Sequence, residues 1–296
     1  MSDAGDIATL ISTLFGAFLD SATTQPQPET PPQTIALANQ KGGVGKTTTT
    51  VALGGLLAAW GFRTLMVDVD PHGSLTSYFR LDPDSLERSS YSLFEAVAEK
   101  RDLDPASLLV DTGTEGLSLI PAAIALATLD RQSGRMEGMG LVLKRALERL
   151  STRFDYVLID CPPILGVLLI NALAACECLI APVQTEFLAI KGLERLQHTL
   201  KMVTRARPTP LEVVVVPTFY DQRTRASRDS LAVLQRDFAA QLWDGLIPID
   251  TRFREASRVG LPPAIFDPRA RGVEAYARLL EELVQRQPAV PREAAG

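Results

Sequence analysis

Cysteine is scarce in this 296-residue sequence, with only Cys161, Cys176 and Cys178. They are too few for a disulfide framework, which excludes a small stapled scaffold and points to a reducing cytosol. The order Cys176-Glu177-Cys178 is C-x-C rather than C-x-x-C, so it reads as a buried strand start and not as a metal or cluster motif. No apolar run approaches the roughly 18 residues of a membrane span. The N-terminus has no basic region of the kind that opens a secretory signal. Net charge is −5, so the whole chain carries no basic footprint. No internal repeat is present. A hydrophobic content of 46% supports a sizeable core, and the length allows one large α/β domain or two small ones.

The most informative stretch is Gln40-Lys41-Gly42-Gly43-Val44-Gly45-Lys46-Thr47-Thr48. It follows the apolar run Thr34 to Asn39 and precedes a helix-like segment, Thr47 to Trp60. Strand, glycine loop, helix is the layout of a phosphate-binding loop. Gly42, Gly43 and Gly45 let the backbone turn tightly and bring N–H groups, including that of Val44, up to phosphate oxygens. The helix dipole points at the same anion. Lys46 adds a full charge, and the Thr47 hydroxyl can ligate Mg²⁺, with Thr48 beside it. The pattern G-x-x-x-x-G-K-[ST] is incomplete, because Gln40 stands where its first glycine belongs, and a second lysine, Lys41, opens the loop.

Two further strands end in carboxylates. Thr64 to Asp68 runs into Asp68-Val69-Asp70-Pro71-His72-Gly73-Ser74, and Phe154 to Asp160 runs into Cys161-Pro162-Pro163. The second is a Walker B arrangement, with Asp160 placed to hold the Mg²⁺ shell; Asp70 suits Mg²⁺ and water handling. His72 reads as a surface or supporting residue rather than a base. The remaining strands are Leu117 to Pro121, Leu179 to Gln184, Leu211 to Val216 and the short Leu246-Ile247-Pro248. Helices are predicted over Tyr91 to Lys100, Met136 to Leu150, Ala189 to Arg205, Ser227 to Gln241 and Gly272 to Gln285. Alternation of strands and helices predicts an α/β fold, a doubly wound, mostly parallel sheet with helices on both faces. The core domain is expected over 34–287, followed by a disordered Pro/Ala tail, 288–296. In front of it, residues 1–20 form an apolar stripe (Ile7, Leu10, Ile11, Leu14, Phe15, Phe18, Leu19) at helical spacing. Residues 21–33 are a Pro-rich linker. The helix either folds back on its own domain or serves as a tethered docking helix. Its only charges are Asp3, Asp6 and Asp20, which do not suit a membrane surface.

From Ile35 to about Val284 the chain resembles the ParA branch of the ParA/MinD family of deviant Walker A ATPases. The resemblance rests on Lys41-Gly42-Gly43-x-Gly45-Lys46-Thr47, on Asp68-x-Asp70-Pro71 and on the Asp160 strand. It extends to Pro182-Val183-Gln184-x-Glu186, Tyr220-Asp221-x-Arg223-Thr224, Ile247-Pro248…Arg252…Glu255-Ala256-Ser257 and Asp267-Pro268…Gly272-Val273-Glu274-Ala275-Tyr276. His72, Ser74 and Cys161 depart from the family text. The stretch Asp70 to Phe79 resembles the chemotaxis-associated ParA-like proteins in particular.

The resemblance implies a P-loop NTPase fold and the cofactors ATP and Mg²⁺. Lys41, Lys46 and Asp70 would be catalytic, with Lys41 reaching the phosphates of a second subunit in an ATP-closed homodimer. Thr47, Asp70 and Asp160 would serve the metal, and Phe219 and Pro248 would flank the nucleotide. The dimer would bind DNA without reading its sequence, or a polar scaffold. Slow hydrolysis, stimulated by a cargo adaptor protein, would release it. Cytoplasmic placement on the nucleoid or at a pole, without membrane binding, goes with this. Between Arg195 and Arg271 thirteen Lys/Arg stand against eight Asp/Glu, so the acidity lies elsewhere. Arg223, Arg252, Arg254 and Arg258 are candidate phosphate contacts, alongside Arg225 and Arg228. Interleaved Asp221, Asp229, Asp250 and Glu255 leave surface ion pairs as the other reading. A P-loop amide ligase, such as a cobyrinic acid diamide synthase relative, is the competing enzyme class. An iron–sulfur carrier would need a C-x-x-C, and a MinD-like membrane protein would need a basic amphipathic tail in place of Gln287 to Pro291.

Overall fold

A computed structural model describes residues 32–129, 139–204, 207 and 209–285. The predicted helix 1–20, most of the linker and the 288–296 tail lie outside them. Seven strands form one sheet: β1 Gln33–Leu37, β2 Thr64–Asp68, β3 Val110–Asp111, β4 Leu117–Ile120, β5 Tyr156–Asp160, β6 Cys178–Gln184 and β7 Glu212–Thr218. Their order is β3-β4-β2-β5-β1-β6-β7. All pairings are parallel except β3 against β4. A parallel strand covered on both faces needs apolar side chains in both directions, which is why β2 and β5 read as unbroken apolar runs. Alternate side chains serve two cores. Ala36, Leu65, Val67, Val157 and Ile159 face one helical layer. Ile35, Leu37, Met66 and Leu158 face the other.

The first layer contains α3 Ser90–Ala98, α4 Val142–Glu148, α5 Val167–Ala175 and α6 Phe187–Val203. The second contains α1 Lys46–Ala59 and α10 Arg271–Gln285, whose Val273, Tyr276, Leu279, Leu280 and Leu283 are buried. Each such side chain contributes roughly 1.5–3 kcal/mol when fully buried. Short α2 Ser74–Tyr78, α7 Arg225–Asp237, α8 Arg252–Val259 and α9 Pro263–Phe266 complete the described α-helices. Chain order reverses at β1, which lies between β5 and β6, so the crevice beyond the C-terminal ends of these strands is the topological switch point.

The predicted strand Leu246-Ile247-Pro248 is not a strand. Ile247 donates to the Pro217 carbonyl and accepts from Tyr220 N–H, but Pro248 has no N–H to extend a ladder and makes an isolated bridge to Tyr220. The predicted helix 136–150 begins, within the described residues, as a 3-10 turn, Met139–Leu141, and turns α-helical at Val142. Cys178 opens β6, buried, as its strand-start reading requires. No helix of the described residues is long and apolar enough to cross a membrane.

Candidate nucleotide site

The loop between β1 and α1 adopts the conformation its glycines permit. Gly43 and Gly45 have φ of 76° and 97°, the left-handed region that side chains disfavour. Gly45 caps α1 without a side-chain hydrogen bond, so the first-turn N–H groups face the crevice unpaired by a cap. A Cβ on Gly45 would sit 3.4 Å from the Phe219 ring. Phe219 itself is held at φ 52°, and the neighbouring Thr218 hydroxyl donates to the Val44 carbonyl at 2.8 Å. The end of β7 is thereby tied to the loop. Lys46 is 7% exposed.

The acidic residues meet this loop from β2 and β5. Thr47 Oγ1 donates to Asp160 Oδ2 at 2.6 Å. Asp160 Oδ1 is buried with no hydrogen-bond partner. Asp68, fully buried, accepts from Thr76 N (2.8 Å), Thr76 Oγ1 (2.7 Å) and Asp70 N (3.1 Å). Burial pushes its carboxyl up to about 7 against the pull of those hydrogen bonds. Burial, then the Asp68 charge, pushes Asp160 up to about 8, while the Thr47 hydroxyl and Lys46 act in the other direction. An orphaned carboxylate oxygen beside a threonine hydroxyl fits a hard divalent cation such as Mg²⁺. Among the described residues no group of three His, Cys, Asp or Glu could hold a metal by itself, so such an ion would depend on water and phosphate oxygens as well.

Asp70 leaves β2 in a tight turn. Gly73 N donates to the Asp70 carbonyl at 2.8 Å, with Pro71 second in the turn and Gly73 at φ 59°. A Cβ on Gly73 would lie 2.3 Å from Pro83 Cγ, so this position admits only glycine. The turn folds His72 back onto the carboxylate: His72 N and His72 Nδ1 lie 3.0 and 2.8 Å from Asp70 Oδ1.

A cleft of about 500 Å³ joins Gly42, Gly43, Gly45, Lys46, Thr47, Thr48, Asp70, His72, Ser74, Pro163 and Phe219. A second cavity of about 320 Å³ shares Thr47, Thr48 and Phe219 and adds Tyr78, Pro248, Phe253, Arg254 and Tyr276. The structure therefore brings together Lys46, Thr47, Asp70 and Asp160, with Phe219 and Pro248 at the adjoining cavity. Lys41 stands apart, ion-paired with Glu186 at the start of α6. Gly192 of α6 packs against it, since a Cβ there would meet Asn39 Oδ1 at 2.8 Å and Lys41 Cβ at 3.0 Å. The four candidate arginines are exposed, and of them only Arg254 borders the site. Arg223 pairs with Asp221 at 2.8 Å, and Arg252 with Glu255 at 2.7 Å and Asp267 at 3.0 Å. Arg254 lines the second cavity, and Arg258 follows on α8. The sequence reading did not foresee the Thr218–Val44 bond, the Lys41–Glu186 pair or the His72–Asp70 contact; only the last had a local signal, the Asp-Pro-x-Gly turn.

Comparison with known proteins agrees with this geometry. A family model described as an AAA domain matches residues 32–213. The sporulation initiation inhibitor protein Soj of Bacillus subtilis is 38% identical over 250 residues, covering 84% of this chain and 97% of Soj. The chromosome partitioning protein ParA of Caulobacter vibrioides is 36% identical over 260 residues, covering 87% and 96%. The chain belongs to the ParA/MinD family of P-loop ATPases. Among solved structures, a cobyrinic acid a,c-diamide synthase from Mycobacterium smegmatis with bound ATP analog and magnesium superposes with a TM-score of 0.72 at 35% identity, over 86% of this chain and 95% of that one. The ATP complex of Cyanothece McdA(D38A) superposes at 0.76 over 88% and 99%, and at 22% identity that likeness speaks for the fold alone. Membership makes the glycine loop between β1 and α1 a P-loop of an ATPase family.

Proposed function

We propose that the protein is an ATP-driven positioning switch. It binds ATP with Mg²⁺, closes into a homodimer, holds DNA or a polar scaffold in that state, and lets go after hydrolysis. The observation that carries this reading is one cleft lined by Lys46, Thr47 and Asp70, with Asp160 hydrogen-bonded to Thr47 behind it, and a second lysine, Lys41, in the same loop paired with Glu186. Gly42 to Thr48 cradle the phosphates through backbone N–H groups, and Lys46 neutralises charge that grows on them. Thr47 and Asp160 hold the metal, which when bound supplies charge neutralisation at the phosphates. Asp70 positions the attacking water. Phe219 and Pro248 flank the remainder of the nucleotide. Lys41 exchanges Glu186 for the phosphates of a second copy, which makes dimer formation depend on ATP.

The exposed pairs of Arg223 and Arg252 support a surface that trades carboxylate for phosphate, since such pairs hold their partners weakly. Arg254 and Arg258 extend it along α8. Binding there is non-specific and electrostatic. The cargo is DNA or a polar assembly of the chemotaxis type, recruited through an adaptor protein that speeds hydrolysis, and the setting is cytoplasmic. The likeness to a cobyrinic acid a,c-diamide synthase motivates the second reading, an amide ligase. Phosphate release separates the two. Slow Mg²⁺-dependent ATP hydrolysis without any amide acceptor, abolished together with nucleotide binding in Lys46→Ala, is expected. Turnover that requires glutamine or ammonia and a carboxylic acid would replace the switch with the ligase.

A further inference from the structure

We infer that His72 is a positioning residue for the hydrolytic step, acting through Asp70; this rests on the proposed role of Asp70 in orienting water. A carboxylate only accepts hydrogen bonds, so the 2.8 Å contact requires His72 Nδ1 to carry the proton and donate. The backbone N–H of the same residue donates to the same oxygen at 3.0 Å. Both bonds land on Oδ1. Among the described residues no hydrogen bond goes to Oδ2, which keeps its accepting capacity for a water in the cleft that Asp70 and His72 both line. One carboxylate oxygen is thus a fixed pivot and the other the working atom.

The two donors restrain different things. The backbone donor comes with the turn closed by Gly73 and holds the carboxyl group near the chain. A single bond to Oδ1 still lets the carboxyl plane tilt through coupled χ1 and χ2 changes that keep that oxygen in place and move Oδ2. The ring donor is a second restraint on Oδ1 and narrows that motion. The Asp70 side chain is 11% exposed, whereas that of His72 is 73% exposed. Nothing in the packing requires an imidazole here, so removing it leaves the core untouched while freeing the carboxylate.

The test is single-turnover ATP hydrolysis with nucleotide affinity measured in parallel. His72→Ala should lower the hydrolysis rate about tenfold, the loss of part of a positioned acid–base group's contribution, with affinity within about twofold of wild type. Asparagine carries its amide nitrogen on Cγ, as histidine carries Nδ1, so His72→Asn should recover to within about threefold. In an Asp70→Asn background, His72→Ala should cost nothing more. An unchanged rate in His72→Ala, an asparagine no better than alanine, an affinity lost in step with rate, or a full further loss in the Asp70→Asn background would each overturn the proposal. A wild-type rate in Asp70→Asn alone would overturn the reading of Asp70 and this inference with it.

Discussion

Asp160→Asn should flatten the pH dependence of stability in the nucleotide-free protein. Asp160 is 1% exposed, its Oδ1 has no partner, and burial together with the Asp68 charge lifts its carboxyl from 3.8 to about 8. Between those values the folded chain keeps a proton that the unfolded chain releases. A raised folded value gives stability that is complete below about pH 4 and is lost as pH climbs toward about 8. One proton corresponds to about 1.4 kcal/mol per pH unit, so from pH 5 to pH 7 a proton held by the buried Asp160–Asp68 pair removes about 2–3 kcal/mol. Burial raises Asp68 as well, and the two carboxyls titrate as a pair. Wild type should therefore lose stability across this window more steeply than Asp160→Asn, which has one titratable carboxyl of the pair left. The amide oxygen can still accept from Thr47, so the variant keeps that contact. Urea unfolding at pH 5, 6, 7 and 8, with a metal chelator and no nucleotide, reads the slopes directly. With ATP and Mg²⁺ the order reverses, because wild type gains binding energy at neutral pH that the variant lacks. A flat wild-type profile from pH 5 to 7, or identical slopes in both proteins, would refute the buried-carboxylate argument.

Gly192→Val should lower stability by about 1–3 kcal/mol and weaken ATP-dependent dimerisation, because its Cβ alone would meet Asn39 Oδ1 at 2.8 Å and Lys41 Cβ at 3.0 Å; thermal unfolding and light scattering check both halves. Binding of the ATP form to DNA should fall steeply with salt, and Arg223→Glu or Arg252→Glu should weaken it equally on unrelated sequences and reduce the salt slope by about one per lost contact. Fluorescence anisotropy at several ionic strengths tests this, and a slope unaffected by either change removes that arginine from the interface.

Much of the site was legible because its chemistry is local in sequence. A phosphate loop has to follow a strand and open a helix, and Thr34 to Trp60 contains all three parts. Asp160 was visible as the carboxylate that ends a fully apolar strand, and Asp70 as the carboxylate two residues beyond another. What escaped depends on contacts between distant segments. Thr218 reaches Val44 and Glu186 reaches Lys41 only because β7 and β6 lie beyond β1 in the sheet, an order that no local pattern encodes. Asp68 and Asp70 read alike in sequence, yet the hydroxyl and N–H of Thr76 bury one as scaffold and a proline turn presents the other to the cleft. Val110–Asp111 was not predicted because two residues carry no periodicity. Leu246 to Pro248 misled because apolar composition cannot supply the N–H that Pro248 lacks.

The central claim is that ATP closes two copies into one unit and hydrolysis opens it. Sedimentation of Asp70→Ala with ATP and Mg²⁺ tests it most directly, because water positioning is removed while the phosphate loop is intact. The account predicts a stable dimer with ATP, a monomer with ADP, and a monomer with ATP once Lys41→Ala is added. A monomer under every nucleotide, or a dimer that forms equally without ATP or Lys41, would contradict it.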